Sequence, residues 1–336
     1  MNIKKYISLF LSCLLIIPIC TLPSSCAKDR SPATLSECYF DTVISITLYG
    51  DDAKYIDDCF DICDSYEKKI SNTIEDSEIS KINKHNGYIK VSDDTLEILK
   101  KGIEYGDISG GQFDITIGGL SDLWPFGDKS PHVPDSNLID NAVKHVNYKN
   151  IIIDGNNVML KDNESKIDLG GIAKGFIADK LKSYLKSKGV KNGIINLGGN
   201  ILLIGKKPDG TNYNIGIKKP FEENDISATV SVNDYSVVSS GNYERYFYEN
   251  DKLYHHILDV KTGYPVTNDL LSVSIISKKS VDGDGFSTTC FTMGLKEGMK
   301  LINNTKDVEA VFIDEDYKIH CSDGLKNKDG IITLRK

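Results

Sequence analysis

The sequence has no excess of basic charge, since 40 Lys and Arg residues stand against 48 Asp and Glu, and the formal net charge is −8. It also lacks a basic stripe with interleaved aromatic residues, the usual signature of a nucleic-acid surface. No internal repeat and no low-complexity tract is present. These absences argue against a nucleic-acid surface, and a length of 336 residues is typical of a globular enzyme with one large domain or two small ones.

Cysteine is present, but not in a pattern that indicates a metal site or a disulfide framework. Three of the eight cysteines fall in the first 26 residues, and the other five form an odd set without a CxxC pair. A chain of this length has little need of disulfides. Cys59 and Cys63 are four residues apart in a predicted helix over Ala53–Ile70, so we expect both on its buried face.

The first 26 residues have the layout of a targeting segment. Two lysines are followed by the apolar run Tyr6–Leu22 and by two small serines. With Cys26 directly after them, the segment resembles a bacterial lipoprotein signal whose cysteine receives the lipid, although Pro23 stands where such signals usually carry Leu. An uncleaved membrane anchor is the alternative, but the run is short for a span. Both interpretations place the remainder of the chain outside the cytoplasm. We expect a tether over residues 27–37, which is polar across Asp29–Ser36, and one domain over residues 38–336.

The segment Ile167–Asp179 is the most informative part of the chain. It predicts a strand end, a glycine turn at Gly170 and Gly171, and an amphipathic helix that ends near Gly189. Backbone N–H groups at such a helix start attract an anion, and Lys174 adds a fixed positive charge. The pattern favours a phosphate or pyrophosphate ligand, and a plain strand-to-helix connection is the alternative.

A second segment, Val281–Gly294, suits a hard cation. Asp284 and Thr288 are four residues apart, so a helix would place them on one face, with Asp282 and Ser287 nearby. A carboxylate with a hydroxyl suits Mg²⁺, which takes its other oxygens from water and phosphates. The segment does not fit a calcium loop, and an N-capping Asp in a solvated turn is the alternative.

Two further segments carry polar side chains. Val237–Tyr246 predicts a strand that runs into a polar turn, and Tyr254–Pro265 predicts a strand with a turn at Lys261–Gly263. In such a strand His256 and Leu258 share one face, and His255, Ile257 and Asp259 the other. An unperturbed histidine titrates near neutrality, so His256 is a candidate for proton transfer. A purely structural role for His256 is the alternative. His255 is not favoured as a proton-transfer residue.

The remaining periodicities mix helices and strands without strict alternation, which predicts an α+β fold. The predicted elements are strands at Tyr39–Tyr49, Ile194–Ile204, Tyr213–Ile217, Ala228–Val232 and Leu271–Ser277, a helix at Asp93–Ser109, a loop at Pro125–Asn137, and hairpins at Ile151–Leu160 and Val308–His320.

Taken in order, the polar and glycine-rich segments resemble the ApbE-type FAD:protein FMN transferases over nearly all of the chain after the leader. The matching segments are Phe40–Val43, Ser77–Asn83, Gly111–Gly118, Leu123–Gly127, Asp168–Gly175, Asn196–Asn200, Ser239–Arg245, His256–Asp259 with Thr262–Gly263, and Asp284–Thr288.

The resemblance implies a compact two-lobed fold with mixed and antiparallel sheets and a flavin groove between the lobes. It implies transfer of FMN from FAD to a Thr or Ser hydroxyl of an extracytoplasmic redox protein with a Ser/Thr-Gly-Ala-Thr type site, with release of AMP. Mg²⁺ would bind Asp284, Thr288 and the carbonyl of Ala173. The proposed catalytic residues are His256, Asp259 and Lys174, and the proposed FAD-binding residues are Gly170, Gly171, Lys174, Gly198, Gly199, Tyr243, Glu244, Arg245 and His256.

The flavin side of this prediction leaves alternatives open. Members of the family often carry an aromatic residue before the Ser77–Asn83 segment, but here Asn72–Ile74 contains none. Phe113, Trp124, Tyr243 and Tyr264 are other stacking candidates or ordinary core residues, and Glu244 and Arg245 contact the adenosine half or pair with each other. The alternative activities are a Mg²⁺-dependent FAD pyrophosphatase and a non-enzymatic flavin-binding lipoprotein.

Overall fold

The computed structural model describes residues 31–335. Its α-helices are α1 Ile56–Ile70, α2 Glu78–Lys84, α3 Asp93–Ile108, α4 Gly118–Ser121, α5 Ser136–Val143, α6 Ala173–Ser187 and α7 Ser280–Asn303. Its strands are β1 Pro32–Tyr39, β2 Thr42–Tyr49, β3 Ile89–Lys90, β4 Ile151–Asp154, β5 Asn157–Leu160, β6 Gly193–Leu197, β7 Asn200–Ile204, β8 Tyr213–Lys218, β9 Ile226–Val232, β10 Ser236–Gly241, β11 Tyr246–Glu249, β12 Lys252–His255, β13 Leu270–Ser277, β14 Val308–Asp314, β15 Ile319–Cys321, β16 Leu325–Lys328 and β17 Ile331–Leu334. The predicted α+β class is confirmed.

An eight-stranded antiparallel sheet with the order β1-β2-β6-β7-β10-β13-β14-β15 forms the centre of the molecule. Side chains alternate between its faces, as β14 illustrates: Ala310 and Phe312 belong to one core, and Val311 and Ile313 to another. The first core lies between the sheet and helices that include α1, α6 and α7. The second lies between the sheet and the four-stranded sheet β16-β17-β9-β8, so the central sheet is covered on both faces.

A separate, smaller core lies around Trp124. It joins Leu120 and Ile139 to Phe247, which lies on β11, and to Leu258, which follows β12. A three-stranded sheet of order β3-β5-β4 completes the strands of residues 31–335. No helix in this part of the chain is long and apolar enough to cross a bilayer.

Several local predictions are confirmed. The structure has the helices predicted around Ala53–Ile70 and Asp93–Ser109 and the hairpin at Ile151–Leu160. Cys59 and Cys63 are both fully buried on α1, and neither forms a disulfide. The helix after the glycine turn ends before Gly189, whose φ of +85° favours glycine.

Three predictions are wrong. Most of the predicted polar tether is β1, which pairs along its whole length with β2; the leader and Cys26 lie outside the described residues. The single strand predicted at Ile194–Ile204 is the hairpin β6-β7, because Gly198 and Gly199 both have positive φ and reverse the chain. The strand predicted from Tyr254 stops at His255, so His256 lies in the connection that follows.

Helices α6 and α7 approach each other closely at Gly175. A Cβ atom added to Gly175 would lie 2.3 Å from the carbonyl oxygen of Ser280 and 2.7 Å from the backbone nitrogen of Val281. Glycine is therefore required where the first turn of α6 contacts the start of α7.

We expect Gly175→Ala to lower the free energy of unfolding by about 1–3 kcal/mol or more, because the added methyl group forces backbone atoms apart. Gly127→Ala is the matched control, since a Cβ there meets nothing within 4 Å. Urea denaturation of both variants provides the measurement. Equal midpoints for the two variants would contradict the close contact.

Candidate functional site

The glycine turn before α6 is held in place by Asp168. Its carboxylate accepts a hydrogen bond from the N–H of Gly170 at 2.7 Å and from the hydroxyl of Ser121 at 3.2 Å. Gly171 packs against Phe113, where a Cβ would lie 3.1 Å from the ring. The predicted anion cradle is therefore a fixed turn at the start of a helix.

Asp284 is the buried acidic group of the site. Its side chain accepts hydrogen bonds from the N–H of Gly175 at 2.5 Å and from Nδ2 of Asn200 at 2.9 Å. Burial raises the pKa of Asp284, while the positive charge of Lys174 and the two N–H donors oppose this rise. Within residues 31–335, Asp284 forms no ion pair, so its carboxylate is buried with neutral donors only as direct partners.

A second buried carboxylate fixes the orientation of α7. Asp179, on α6, accepts hydrogen bonds from the backbone N–H groups of Ser280 at 2.8 Å and Val281 at 3.0 Å. Burial raises the pKa of Asp179 to about 6. Asp179 is thus an N-terminal cap supplied by a neighbouring helix, and it sets the position of Asp284 one turn later.

A cluster of hydroxyl groups joins α7 to β10 about one turn after Asp284. Ser240 Oγ lies 2.8 Å from Ser287 Oγ and 3.3 Å from Thr288 Oγ1, and Ser287 donates to the carbonyl oxygen of Asp284 at 3.0 Å. The expected proximity of Asp282 is wrong. Its carboxylate accepts from the hydroxyl of Tyr105 at 2.7 Å, so Asp282 faces α3.

This donor set fits Mg²⁺ bound together with phosphates. No group of three or more His, Cys, Asp or Glu side chains in the described part of the chain could hold a metal. The available ligands are one buried carboxylate, the Thr288 hydroxyl, and the backbone at Ala173, the first residue of α6 and two positions before Gly175. Such a sparse oxygen set leaves coordination positions for water and substrate phosphate, as Mg²⁺ sites commonly do.

Lys174 is the cation of the site. Its side chain is half-buried and has no hydrogen bond or ion pair with any residue in 31–335. Its positive charge nevertheless acts on Asp284 and on His256, lowering the pKa of each. The ammonium group therefore lies within electrostatic reach of both, and it is available to an anionic ligand.

His256 is held by the backbone of Arg245. Its N–H donates to the carbonyl oxygen of Arg245 at 3.1 Å, and its Nδ1 lies 3.4 Å from the same oxygen. Burial, followed by His255, Arg245 and Lys174, lowers the pKa of His256 to about 4. A neutral ring that carries its proton on Nδ1, facing this carbonyl, has a free lone pair on Nε2.

His255, which the sequence did not favour for proton transfer, has a structural role. Its Nε2 lies 2.9 Å from the carbonyl oxygen of Val266, and its Nδ1 accepts from the N–H of Ile257 at 3.3 Å. Both ring nitrogens of this buried residue therefore have partners, and neither is available for proton transfer.

Asp259 shapes a turn beside the site. Its Oδ1 accepts from the N–H groups of Lys261 at 2.7 Å and Thr262 at 3.4 Å. It also lines a cavity of about 330 Å³, together with residues such as Tyr254 and Tyr264. The carboxylate is thus partly committed to the turn, which favours an orienting role over that of a general base.

The other predicted FAD-binding residues are distributed around these groups. Gly198 and Gly199 form the exposed turn that leads into Asn200, and a Cβ on Gly198 would lie 2.3 Å from Thr42 Oγ1. Glu244 and Arg245 are exposed and form no ion pair within residues 31–335, so the alternative that they pair with each other is wrong.

Most of the predicted stacking rings are core residues. Phe113 and Tyr243 are buried, and Trp124 is buried with its Nε1 donating to the carbonyl oxygen of Gly263 at 3.0 Å. Tyr264 borders the cavity and packs edge-on against Trp124. Of the four rings, Tyr264 is the one best placed to contact a ligand.

The sequence also contained functional groups whose roles we did not predict, namely Asn200, Asp179 and Ser240. Asn200 ends the Asn196–Asn200 motif, and Asp179 ends the helix-start motif, so both stood next to recognised signals. The partner of Asn200 is Asp284, 84 residues later in the chain, and the partner of Asp179 is Ser280, 101 residues later. Spacing within a motif does not reveal such partners.

We expect the imidazole of His256 to titrate near pH 4 in the free protein, against an ordinary value of 6.5. Burial and neighbouring positive charges disfavour the imidazolium form. NMR of histidine-labelled protein, with His256→Gln to assign the resonance, measures this midpoint. A midpoint near 6.5 would contradict the description of the site.

The same shift has a consequence for stability. Between pH 6.5 and about 4, the unfolded chain binds a proton at His256 and the folded chain does not. The free energy of unfolding therefore falls as the pH decreases through this window, and His256→Gln should remove that part of the dependence.

Comparisons with known proteins agree with the family resemblance of the sequence. The model of the ApbE family matches residues 40–312. The FAD:protein FMN transferase of Klebsiella pneumoniae (strain 342) is 33% identical over 297 residues, covering 87% of this chain and 92% of that protein. The protein of the same name from Treponema pallidum is 30% identical over 298 residues, covering 83% of this chain and 82% of its own.

Solved structures give the same picture. The ApbE protein from Thermotoga maritima aligns with a TM-score of 0.80 and 31% identity, over 87% of this chain and 97% of that one. The flavin transferase ApbE from Vibrio cholerae aligns with a TM-score of 0.77 and 27% identity, over 88% and 98% of the two chains.

Proposed function

This chain belongs to the ApbE family, and from that premise we propose that it is a Mg²⁺-dependent FAD:protein FMN transferase acting outside the cytoplasm. It transfers FMN from FAD to a Ser or Thr hydroxyl of an acceptor redox protein and releases AMP. The observation that carries the proposal is the contact between the Gly175 N–H and Asp284, since it joins the anion cradle at α6 to the metal-type ligands of α7.

The substrate pyrophosphate would occupy the start of α6. The Gly170 and Gly171 backbone and the Lys174 ammonium supply N–H donors and positive charge to the phosphate oxygens. Asp284, Thr288 and the carbonyl of Ala173 would hold Mg²⁺ next to them. When bound, the ion would neutralise phosphate charge as a Lewis acid.

His256 is the group we assign to the proton of the acceptor hydroxyl. The hydroxyl oxygen forms a bond to the phosphorus of the FMN half, the bond from that phosphorus to the AMP oxygen breaks, and AMP leaves with the electron pair. The hydroxyl proton passes to Nε2 of His256. The ring is neutral near pH 7 because its pKa is lowered, so it can accept this proton.

We expect Asp284→Asn to lower kcat/KM for transfer by at least about 100-fold and to abolish the response to added Mg²⁺. Losing a metal ligand costs several kcal/mol of transition-state stabilisation, and 1.4 kcal/mol corresponds to a factor of ten. Asp282→Asn is the matched control, since its carboxylate faces Tyr105, and its rate should stay within a few-fold of the unsubstituted protein.

Each protein is incubated with FAD, Mg²⁺ and an acceptor domain carrying a Ser/Thr-Gly-Ala-Thr sequence. Labelling of the acceptor is measured by in-gel flavin fluorescence, and the AMP released is quantified. One AMP per labelled acceptor supports the transferase. AMP without labelling would identify a pyrophosphatase, and FAD binding without AMP a carrier. Full transfer by Asp284→Asn would overturn the metal assignment.

We further propose that Cys26 carries a lipid that anchors the protein to the outer face of the cell membrane. In a bacterial host, Cys26→Ser should move the protein from the membrane fraction to the soluble fraction and abolish incorporation of labelled palmitate. Retention of Cys26→Ser in the membrane, without palmitate in either protein, would support an uncleaved anchor instead.

A further inference from the structure

Three exposed aromatic side chains form a continuous surface beside the site. Phe221, Tyr246 and Tyr248 are 36%, 39% and 62% exposed. The ring centroids of Phe221 and Tyr246 are 5.4 Å apart, those of Tyr246 and Tyr248 are 5.9 Å apart, and both pairs are edge-to-face. We name Phe221, Tyr246 and Tyr248 the aromatic ladder.

The ladder is assembled from two separate parts of the fold. Tyr246 and Tyr248 lie on β11, whereas Phe221 lies in the loop between β8 and β9. The loop is closed by a hydrogen bond from the N–H of Lys219 to the carbonyl oxygen of Asp225 at 2.9 Å. The Phe221 ring also packs against the buried Tyr243, at 6.1 Å between centroids, so the ladder has a fixed base.

The backbone of Phe221 is strained. Its φ is +62°, a left-handed conformation that a bulky residue rarely adopts and that costs about 1–3 kcal/mol. Glycine would occupy this position without strain. One edge of the Phe221 ring packs on Tyr243, and the rest of the ring is held at the surface in spite of this strain, where it is available to a partner.

The aromatic ladder begins next to Arg245, whose backbone binds the proposed proton acceptor His256. The carbonyl oxygen of Arg245 accepts from the N–H of His256, and Tyr246 is the next residue. The second substrate of the proposed reaction is a protein whose hydroxyl must reach His256. A folded protein positioned there has to cover the surface around Arg245, and β11 continues that surface away from the site.

We propose that the aromatic ladder is the docking surface for the folded acceptor protein, an inference that rests on the proposed transfer reaction. Tyrosine and phenylalanine are enriched at the centres of protein interfaces, where both rings supply apolar contact and the tyrosine hydroxyl adds hydrogen bonding. The matching partner is a domain with apolar surface next to its Ser or Thr and with hydrogen-bond acceptors for the two tyrosine hydroxyls.

The test uses the double variant Phe221→Gly/Tyr248→Ser, which removes two rings and relieves the strain at residue 221. The control is Tyr88→Ser, since Tyr88 is a similarly exposed tyrosine (48%) with no ring contact to the ladder. Each protein is assayed with a folded acceptor domain carrying a Ser/Thr-Gly-Ala-Thr sequence and with a short peptide containing that sequence. The KM for FAD is measured in parallel.

We expect the double variant to raise KM for the folded domain by at least about 30-fold, the effect of losing one interface hot spot of ~2 kcal/mol. The KM for FAD, the kcat and the labelling of the peptide should not change. Equal losses with domain and peptide, or no loss with either, would overturn the proposal. A raised KM for FAD would assign the ladder to the nucleotide.

Binding of the acceptor domain to the FAD-loaded protein, measured by biolayer interferometry, separates this proposal from the proposed function. If the unsubstituted protein binds the domain but transfers no flavin, the transferase assignment fails. The docking surface then stands only if the double variant loses that binding. If the double variant binds as tightly as the Tyr88→Ser control, the docking surface fails whatever the activity.

Discussion

The arrangement of the site depends on one buried contact, the hydrogen bond from the Gly175 N–H to the carboxylate of Asp284. A buried carboxylate without a charged partner is costly, and the cost is offset only when N–H donors are correctly placed. Here one donor comes from α6 and the other, Asn200, from the end of a hairpin in the central sheet. Helix α7, helix α6 and the sheet therefore meet at a single group, and the missing side chain of Gly175 permits the approach.

The charges of the site are coupled through Lys174. This residue acts on Asp284 and on His256, and within residues 31–335 it has no partner of its own. It thereby helps to keep His256 neutral in the free protein. A phosphate bound by Lys174 would reverse this effect, because a nearby negative charge favours the imidazolium form. Under the proposed function, binding of FAD itself would make His256 a better proton acceptor.

The sequence was sufficient for features that depend on neighbouring residues. The apolar spacing of α6, the turn at Gly170 and Gly171, and the shared face of Asp284 and Thr288 are all set within a few positions of the chain. It was insufficient for features that depend on a partner far away in the chain. Residues 32–39 look polar because both faces of β1 are largely exposed, and their strand conformation depends on pairing with β2. Asp179 likewise looks like an ordinary helix residue until Ser280, 101 residues later, provides its partner.

Under the proposed function, the groups that position the phosphate site lie on a different core from the surface that would receive the protein substrate. Asp284, Asn200 and Asp179 are fixed by the main core, where any displacement affects two helices and the central sheet. His256 and the aromatic ladder lie instead on or beside the two-stranded sheet β11-β12, which packs on the smaller core around Trp124. Because few contacts of the main core involve β11, the surface around Arg245 can change in sequence without disturbing Asp284. Under the proposed function, the nucleotide site therefore rests on the main core and the acceptor surface on the smaller one, so a substitution in the acceptor surface can alter acceptor binding while the nucleotide site stays in place.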